Sequence, residues 1–570
     1  MSRHSHYTAF QGRRIFLYLC MGLAAVTLLW QAVCLQVLDK EFLLHQGEAR
    51  HLRVVSLPAH RGMIQDRNGE PLAISTPVES VWINPQELGG EQQRIPELAK
   101  LLSTGRDKVQ RLLASRADRE FVYLKRHISP AVASQVKDLR IPGVYLQREY
   151  RRYYPAAEVT AHIVGMTNID DVGLEGLELA YEEWLAGEPG AKRVVKDGQH
   201  HIIEDVESIS RPRPGKDLQL SIDRRIQYLA YRELKAAVQE HKARSGTAVV
   251  LDVRSGQVLA MVNQPSFNPN SRKRAQRSSM RNRAVTDVFE PGSTMKPFIV
   301  ATALESGRYR PDTQVSTSPG WFRVGVNTVR DVHDYGELDV SGVIRKSSNV
   351  GITKIALSLS AEDIWAGLSD VGFGEQTYSG FPGEASGLLS HYTGWNAIET
   401  ATLAYGYGIS VTALQLAQAY AVLAADGIRR PVAFLRDSEV TEERRIMPQQ
   451  VARQVRAMLE QAAGPEGTAP AAQIAGYRVA GKTGTVHKSV AGGYSDNKYL
   501  SLFAGMAPVS DPRLVMVVMI DEPDNGKHYG GQVAAPVFSK VISGALRLLA
   551  VPPDNLPLLQ PLQAAADGAA

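Results

Sequence analysis

The sequence predicts an α+β domain with an antiparallel sheet, preceded by a mixed region and by one membrane-spanning helix. Three observations support this prediction. A strand, a helix and a hairpin follow one another after residue 216, helical segments fill the middle of the chain, and strands return between residues 477 and 523. Strands on both sides of a helical middle are typical of helices segregated on an antiparallel sheet, not of alternating βαβ units.

The N-terminal apolar run occupies residues 15–38 and contains no charged residue. Its length is sufficient to cross a hydrocarbon core of about 30 Å. Because Arg13 and Arg14 precede it, the positive-inside rule keeps residues 1–14 in the cytoplasm and exports the remainder of the chain. The alternative is a cleaved signal peptide, whose apolar core would be shorter and would end at small residues.

Composition excludes several classes of function. The only two cysteines, Cys20 and Cys34, lie inside the apolar run, so the exported region has no disulfide, thiol nucleophile or cysteine metal site. The 570 residues are 44% hydrophobic and 22% charged, which indicates several globular domains. A net charge of +5 without a zinc-finger or RNA-binding signature predicts no nucleic-acid partner. The 14 histidines show no HExxH spacing, and we predict neither a metal nor a cofactor.

The exported region divides at a linker rich in proline and basic residues, at 208–216. Residues 39–215 show no strong periodicity, whereas residues 216–552 carry clear helix and strand patterns. These patterns predict, in order, a strand at 217–222, a helix at Arg224–Glu240, strands at 246–253 and 257–264, a helix ending at Gly427, and strands at 477–487, 499–508 and 513–523. Residues 553–570 predict a loose tail rich in proline and alanine.

The segment FEPGSTMKPF carries the first candidate site, Ser293 and Lys296. Gly292 allows a tight turn, and a helix after it would place both side chains on one face, with Cβ atoms about 5–6 Å apart. Burial and a second cation would lower the pKa of the lysine, which could then accept the serine proton. The alternative is a capping serine with a surface lysine. A second Ser-x-x-Lys, at Ser134, lies in a polar helical stretch and predicts a solvated face.

The pattern Ser-x-Asn occurs three times, and only Ser347-Ser348-Asn349 precedes an apolar helical run. The other two occurrences, which begin at Ser266 and Ser495, lie in polar loops. A hydroxyl and an amide at the helix start could relay a proton and hold a substrate amide. The alternative is a helix cap, for which serine and asparagine are well suited.

Lys482-Thr483-Gly484 occurs once and is followed by Thr485. Residues 476–483 also match the phosphate-loop pattern GxxxxGK[ST]. A phosphate loop needs a helix directly after it, whereas these residues continue as one strand. We therefore disfavour nucleotide binding, and the glycines indicate close approach of a ligand backbone to a strand.

The order Ser-x-x-Lys, Ser-x-Asn, Lys-Thr-Gly, with gaps of 54 residues (293 to 347) and 135 residues (347 to 482), resembles the penicillin-binding proteins and serine β-lactamases. RGMIQDRNGEPLA, RRYYP and GLEGLE in the first half, with KSSNVG, GKTGTVHK and YGGQVAAPVF in the second, resemble class B penicillin-binding proteins, in particular the cell-division peptidoglycan D,D-transpeptidases of Gram-negative bacteria. The resemblance implies a five-stranded antiparallel sheet with helices in the transpeptidase domain, on an elongated pedestal that resembles a dimerisation domain.

The resemblance also implies a role for each motif residue. Ser293 would be the nucleophile, Lys296 its general base, and Ser347 and Asn349 a proton relay that orients the peptide. Lys482 would lower the pKa of Lys296. Thr483, Gly484 and Thr485 would bind the substrate carboxylate, and the backbone N–H groups of Ser293 and Thr485 would form the oxyanion hole.

The implied substrates are peptidoglycan stem peptides on lipid-linked nascent glycan, and β-lactams would bind covalently. The implied partners are a membrane-embedded glycosyltransferase and other cell-division proteins, and the implied location is the inner membrane with the catalytic domain in the periplasm. Two alternatives stay open: a β-lactamase, although no E-x-x-L-N stretch is present, and a penicillin sensor or division scaffold. The basic run at 271–283 predicts a solvated loop, with anionic glycan or lipid as the alternative.

Overall fold

The computed structural model describes residues 8–40, 52–89, 91–196, 202–271, 276–437, 442–490 and 493–556. Its strands, in chain order, are β1 (Leu52–Leu57), β2 (Ile64–Gln65), β3 (Pro71–Ile83), β4 (Val122–Ile128), β5 (Val144–Tyr153), β6 (Met166–Thr167), β7 (Gly173–Glu175), β8 (Gly190–Lys196), β9 (Ile202–Ser210), β10 (Leu218–Gln219), β11 (Ser245–Asp252), β12 (Val258–Gln264), β13 (Gln314–Ser316), β14 (Trp321–Val324), β15 (Asn327–Arg330), β16 (Glu337–Asp339), β17 (Ile428–Arg429), β18 (Arg444–Arg445), β19 (Ala480–Val490), β20 (Gly493–Ala507) and β21 (Leu514–Asp521).

The α-helices are α1 (Thr8–Val33), α2 (Ile95–Leu101), α3 (Arg106–Ala114), α4 (Pro130–Asp138), α5 (Ala161–Val164), α6 (Gly176–Ala180), α7 (Glu182–Leu185), α8 (Arg224–Glu240), α9 (Arg277–Met280), α10 (Arg283–Thr286), α11 (Lys296–Glu305), α12 (Val340–Lys346), α13 (Asn349–Leu357), α14 (Ala361–Asp370), α15 (Ala397–Ala404), α16 (Ala413–Ala424), α17 (Gln449–Ala463), α18 (Gly530–Val533) and α19 (Ala535–Leu548). Short 3₁₀ turns include Gly292–Met295, directly before α11.

The N-terminal helix α1 continues as a π-helical turn over Cys34–Leu38. Within the described residues, Gly12–Leu38 is the one helix that is long and apolar enough to cross a membrane. The predicted span at 15–38 lies inside it. Both Cys20 and Cys34 are free thiols in this helix.

The chain forms two compact units. The first contains residues 1–60, 77–150 and 187–215, and the second contains residues 61–76, 151–186 and 216–570. The first unit has its own apolar core, in which Val81, Leu98 and Val122 are buried. The second Ser-x-x-Lys lies on α4 of this unit, where Ser134 and Lys137 are both exposed, as the sequence predicts for a solvated face.

The second unit is organised around a five-stranded antiparallel sheet of order β12-β11-β21-β20-β19. Successive side chains of a strand point to opposite faces. Accordingly, Val250 of β11 packs in the core that contains α8 and α19, whereas Val249 packs in the core that contains α16. All eight residues of β11 are buried because helices cover the sheet on both faces.

Most predicted elements of this unit are confirmed: α8 has the predicted bounds, and the late strands overlap the predicted segments. The strand predicted at 217–222 is wrong in length. Leu218–Gln219 pair parallel to β2, Leu220 forms only an isolated bridge with Leu435, and Ser221 turns its hydroxyl to the Val258 carbonyl at 2.7 Å. The side chain of Asp223 then caps α8, so the helix start shortens the strand.

Candidate active site

The nucleophile candidate lies on a 3₁₀ turn that leads into a buried helix. Gly292 has φ +54°, and a Cβ atom on it would lie 2.4 Å from Val486 Cγ2 of β19. Only glycine accommodates both the left-handed backbone and this close approach. Ser293 is half-buried, whereas the residues of the following helix α11 are buried as far as Leu304. The sequence therefore exposes one hydroxyl at the start of an otherwise inaccessible helix.

Lys296 follows Ser293 by one helical turn and is fully buried. Its Nζ atom donates to the Ser347 carbonyl oxygen at 2.6 Å, to Asn349 Oδ1 at 2.8 Å and to Ser347 Oγ at 3.2 Å. The alternative of a surface lysine is therefore wrong. The apolar run after the lysine draws this helix into the core, and polar groups of the Ser-x-Asn segment receive the amine.

Ser347 lies between two lysines. It ends α12 in a left-handed conformation, with φ +58°. Its Oγ atom accepts a hydrogen bond from Lys482 Nζ at 2.9 Å as well as the bond from Lys296. The neighbouring Ser348 serves as the helix cap instead, because its Oγ accepts from Gly351 N at 2.8 Å. The capping alternative thus applies to the middle residue of the motif.

Burial changes the acidity of both lysines, and repulsion by Lys482 adds to the change at Lys296. Desolvation, and then the positive charge of Lys482, lower the pKa of Lys296 well below its ordinary value, and the carboxylate of Asp331 opposes the change. Burial lowers the pKa of Lys482 to about 7. An amine with a lowered pKa is neutral in a larger fraction of molecules and can accept a proton.

The Lys-Thr-Gly segment lies on β19, the last strand of the sheet. Thr483 Oγ1 shares a 2.7 Å hydrogen bond with Thr468 Oγ1, and Thr485 Oγ1 accepts from Gly530 N at 3.0 Å. A Cβ atom on Gly484 would lie 3.0 Å from the Pro291 carbonyl oxygen. The backbone that approaches this glycine is therefore that of the nucleophile turn.

The phosphate-loop alternative lacks its structural context. β19 continues through Lys482 to Val490 and pairs with β20, so no helix follows the glycine-lysine pair. Within the described ranges, no group of three histidine, cysteine, aspartate or glutamate side chains gathers as metal ligands. The basic run falls partly on residues 272–275, outside the described residues.

Several residues around the site were missed by sequence reasoning. Asp331 receives hydrogen bonds from Ser348 and Asn349, Thr468 contacts Thr483, and Gly530 contacts Thr485. Asp331 and Thr468 belong to none of the motifs, and Gly530 lies in YGGQVAAPVF, a motif whose individual residues were given no role. Glu290, just before the nucleophile turn, accepts from Gly408 N and Tyr494 OH, both at 2.9 Å.

The motif residues therefore meet at one site: a half-buried hydroxyl, a buried amine, a bridging serine and a second lysine. A half-buried hydroxyl one helical turn from a buried lysine with a lowered pKa is typical of a serine acyl-transfer enzyme. The fold and site together define that class.

Comparisons with known proteins identify the family. The family profile for the penicillin binding protein transpeptidase domain matches residues 246–543, and that for the penicillin-binding protein dimerisation domain matches residues 56–220. The chain belongs to this family of penicillin-binding proteins. The predicted α+β transpeptidase fold is confirmed.

Named relatives span nearly the whole chain. The probable peptidoglycan D,D-transpeptidase PbpC of Pseudomonas aeruginosa is 44% identical over 94% of each chain. The peptidoglycan D,D-transpeptidase FtsI of Escherichia coli K12 is 43% identical over 94% of this chain and 92% of that one. The solved transpeptidase domain of Burkholderia pseudomallei penicillin-binding protein 3 is 46% identical, covers 59% of this chain and 98% of that chain, and superposes with a TM-score of 0.55.

Proposed function

We propose that the chain is a membrane-anchored peptidoglycan D,D-transpeptidase that cross-links stem peptides through an acyl-enzyme on Ser293. The observation that carries this proposal is the buried Lys296 amine, bonded to Ser347 and Asn349 one helical turn from the Ser293 hydroxyl. Membership of a family whose named relatives are peptidoglycan D,D-transpeptidases supports the reaction type.

Acylation begins when neutral Lys296 accepts the Ser293 hydroxyl proton and Oγ attacks the carbonyl carbon of the penultimate D-alanine. The backbone N–H groups of Ser293 and Thr485 stabilise the oxyanion that forms. When the tetrahedral intermediate collapses, the peptide C–N bond breaks and the proton passes, through Ser347, to the leaving amine. D-Alanine departs, and Ser293 carries an ester.

Transfer reverses these proton movements. An amine from a neighbouring stem peptide attacks the ester carbonyl and gives its proton to the neutral relay. The ester C–O bond breaks, an amide cross-link forms, and Ser293 recovers its proton. Asn349 orients the donor peptide, since its amide lies beside the amine that moves the proton.

Substrate binding is assigned to β19. Lys482, Thr483 and Thr485 supply positive charge and hydroxyls for the terminal carboxylate, and Gly484 lets the strand lie close to the nucleophile turn. Because β19 is the last strand of its sheet within the described residues, an extended donor peptide can pair with its outer edge.

The apolar N-terminal helix supports a single-pass anchor in the inner membrane. We assign residues 1–14 to a cytoplasmic tail, 15–38 to the anchor, 39–215 to a periplasmic pedestal, 216–552 to the transpeptidase domain and 553–570 to a tail. Lipid-linked nascent glycan, a membrane-embedded glycosyltransferase and other cell-division proteins are the proposed partners at the septum.

Labelled penicillin tests the proposal on the full-length protein in detergent. We expect a stable covalent adduct at Ser293, located by peptide mass spectrometry and absent from Ser293→Ala. Ser134→Ala, in the second Ser-x-x-Lys, is the matched control and should be labelled like the wild type. No adduct on the wild type, or an undiminished one on Ser293→Ala, would refute the assignment. Rapid loss of the adduct would favour a β-lactamase.

A further inference from the structure

We infer that Asp331 is a positioning residue for acylation: its carboxylate fixes the loop that carries Ser347 and Asn349, and its negative charge faces the Lys296 amine. This inference rests on the proposed function, because it concerns the base of that reaction. Asp331 lies outside the three motifs, directly after β15, and is half-buried.

The geometry ties one carboxylate to three successive residues. Asp331 Oδ1 accepts hydrogen bonds from Asn349 N at 2.5 Å and from Val350 N at 3.0 Å, and Oδ2 accepts from Ser348 Oγ at 2.5 Å. These groups include backbone donors at the start of α13, where a helix has no internal acceptors for its N–H groups. Charge-assisted bonds of this kind are stronger than neutral ones.

The segment Arg330-Asp331 also fixes the side chain of Asn349. Its Nδ2 atom donates to the carbonyl oxygen of Arg330 at 3.2 Å, which leaves Oδ1 directed to Lys296 Nζ at 2.8 Å. Residues 330 and 331 thus hold both the backbone and the amide of Asn349. Because Ser347 immediately precedes this anchored segment in a left-handed conformation, its position between the two lysines depends on the same anchor.

The charge of Asp331 acts on the amine directly. The charged groups that face Lys296 are Lys482 on β19, which lowers its pKa, and Asp331, which raises it. Arg345 and Lys346 at the end of α12 contact Glu466 instead. Burial, and then the charge of Asp331, raise the pKa of the nearby Tyr335 phenol.

Two substitutions separate the hydrogen bonds that Asp331 makes to residues 348–350 from the effect of its negative charge. Asp331→Asn keeps one oxygen for the backbone donors but removes the negative charge and the acceptor for Ser348. The pKa of Lys296 then falls, because the protonated amine loses a favourable partner. Since the base acts in its neutral form, the acid limb of the acylation profile moves to lower pH. Asp331→Glu keeps the negative charge but displaces the carboxylate. The plateau of the acylation rate should therefore fall, while the acid limb of the pH profile moves little.

The experiment measures the second-order rate constant of acylation by labelled penicillin between pH 5 and 9, on the full-length protein in detergent. For Asp331→Asn we expect the acid limb to move down by about half a pH unit or more, as removal of one nearby charge predicts. Asp339→Asn is the matched control. Asp339 caps α12 by accepting from Gly342 N at 2.7 Å, so its loss should leave the limb in place.

The outcomes are distinguishable. A wild type without an adduct at Ser293 overturns the proposed function. A reactive wild type whose acid limb is unmoved in Asp331→Asn, or moves equally in Asp339→Asn, overturns the role of Asp331 alone. If Asp331→Asn fails to fold, as seen by circular dichroism, Asp331→Glu decides: a limb close to that of the wild type with a plateau at least about tenfold lower supports positioning. An unchanged plateau in that variant contradicts it.

Discussion

Lys482 Nζ donates a 2.9 Å hydrogen bond to Ser347 Oγ, and this bond joins the last strand of the sheet to the loop between two helices. Lys296 Nζ reaches the same hydroxyl at 3.2 Å. One serine thus receives both lysines, and the second lysine lies close enough to repel a proton from the first. The acidity of the proposed base therefore depends on a strand that comes from a distant part of the chain.

Removal of the Lys482 charge should slow acylation and move its pH dependence upward. Lys482→Gln eliminates the cation that lowers the pKa of Lys296, so the acid limb should shift to higher pH. Lost stabilisation of the transition state should reduce the rate about 10²-fold. Lys488→Gln on the same strand is the control, because Lys488 bonds Asp521 and Glu522 away from the site. An acid limb that moves down would contradict the assigned repulsion.

Stability should rise with pH above neutrality. The pKa of Lys482 is about 7 in the folded protein, whereas an unfolded lysine has a pKa of about 10.4. Between these two pKa values the unfolded chain binds more protons than the folded protein, so a rise in pH favours the folded state. The cost of burying a protonated Lys482 is therefore greatest below about pH 7. Thermal unfolding from pH 7 to 10 at constant ionic strength should show a rising Tm. Lys482→Met should flatten the rise, and an identical slope in both proteins would count against this account.

Gly292→Ala should cost both stability and reactivity. The new Cβ atom meets Val486 Cγ2 at 2.4 Å on a left-handed backbone, so the nucleophile turn must move away from β19. Left-handed backbone alone costs an L-residue about 1–2 kcal/mol. Gly307→Ala isolates that cost, because Gly307 has φ +71° and open space around its Cα. We expect Gly292→Ala to lose more unfolding free energy than Gly307→Ala, and only the former to slow acylation.

Thr485→Val should weaken donor binding. The hydroxyl accepts from Gly530 N and is assigned to the substrate carboxylate, whereas valine keeps the shape without the oxygen. Loss of one such hydrogen bond to a charged group costs about 1.5–3 kcal/mol, so KM for a D-alanyl-D-alanine peptide should rise at least about tenfold. Thr353→Val is the control, since the buried Thr353 Oγ1 has no partner within the described residues. Equal effects of both substitutions would refute the carboxylate assignment.

Local patterns were sufficient for α8, for the main strands of residues 216–552 and for the motif residues, whereas residues 39–215 showed no strong periodicity. The continuous apolar runs of β11 and β21 and the apolar face of α8 predicted these elements, because their burial is encoded within each segment. The order of the three motifs indicated the cleft through family resemblance. Without that resemblance, the chemistry of Ser293 and Lys296 did not exclude the alternative of a capping serine with a surface lysine.

Contacts between distant segments could not be predicted. The anchoring of Asn349 by Asp331 and the left-handed backbone of Ser347 depend on how a hairpin meets a helix junction, which no periodicity records. Likewise, residues 61–76 and 151–186 join the compact unit of residues 216–570, although composition changes only at the linker. Such interleaving results from tertiary packing and leaves no local signal.

The confinement of both cysteines to the apolar N-terminal helix offers a direct way to map topology. No cysteine follows Leu38 in the sequence, so one engineered cysteine there reports on its own compartment without background from a native thiol in the same region. A membrane-impermeant maleimide added to intact cells would then read the orientation of the chain residue by residue.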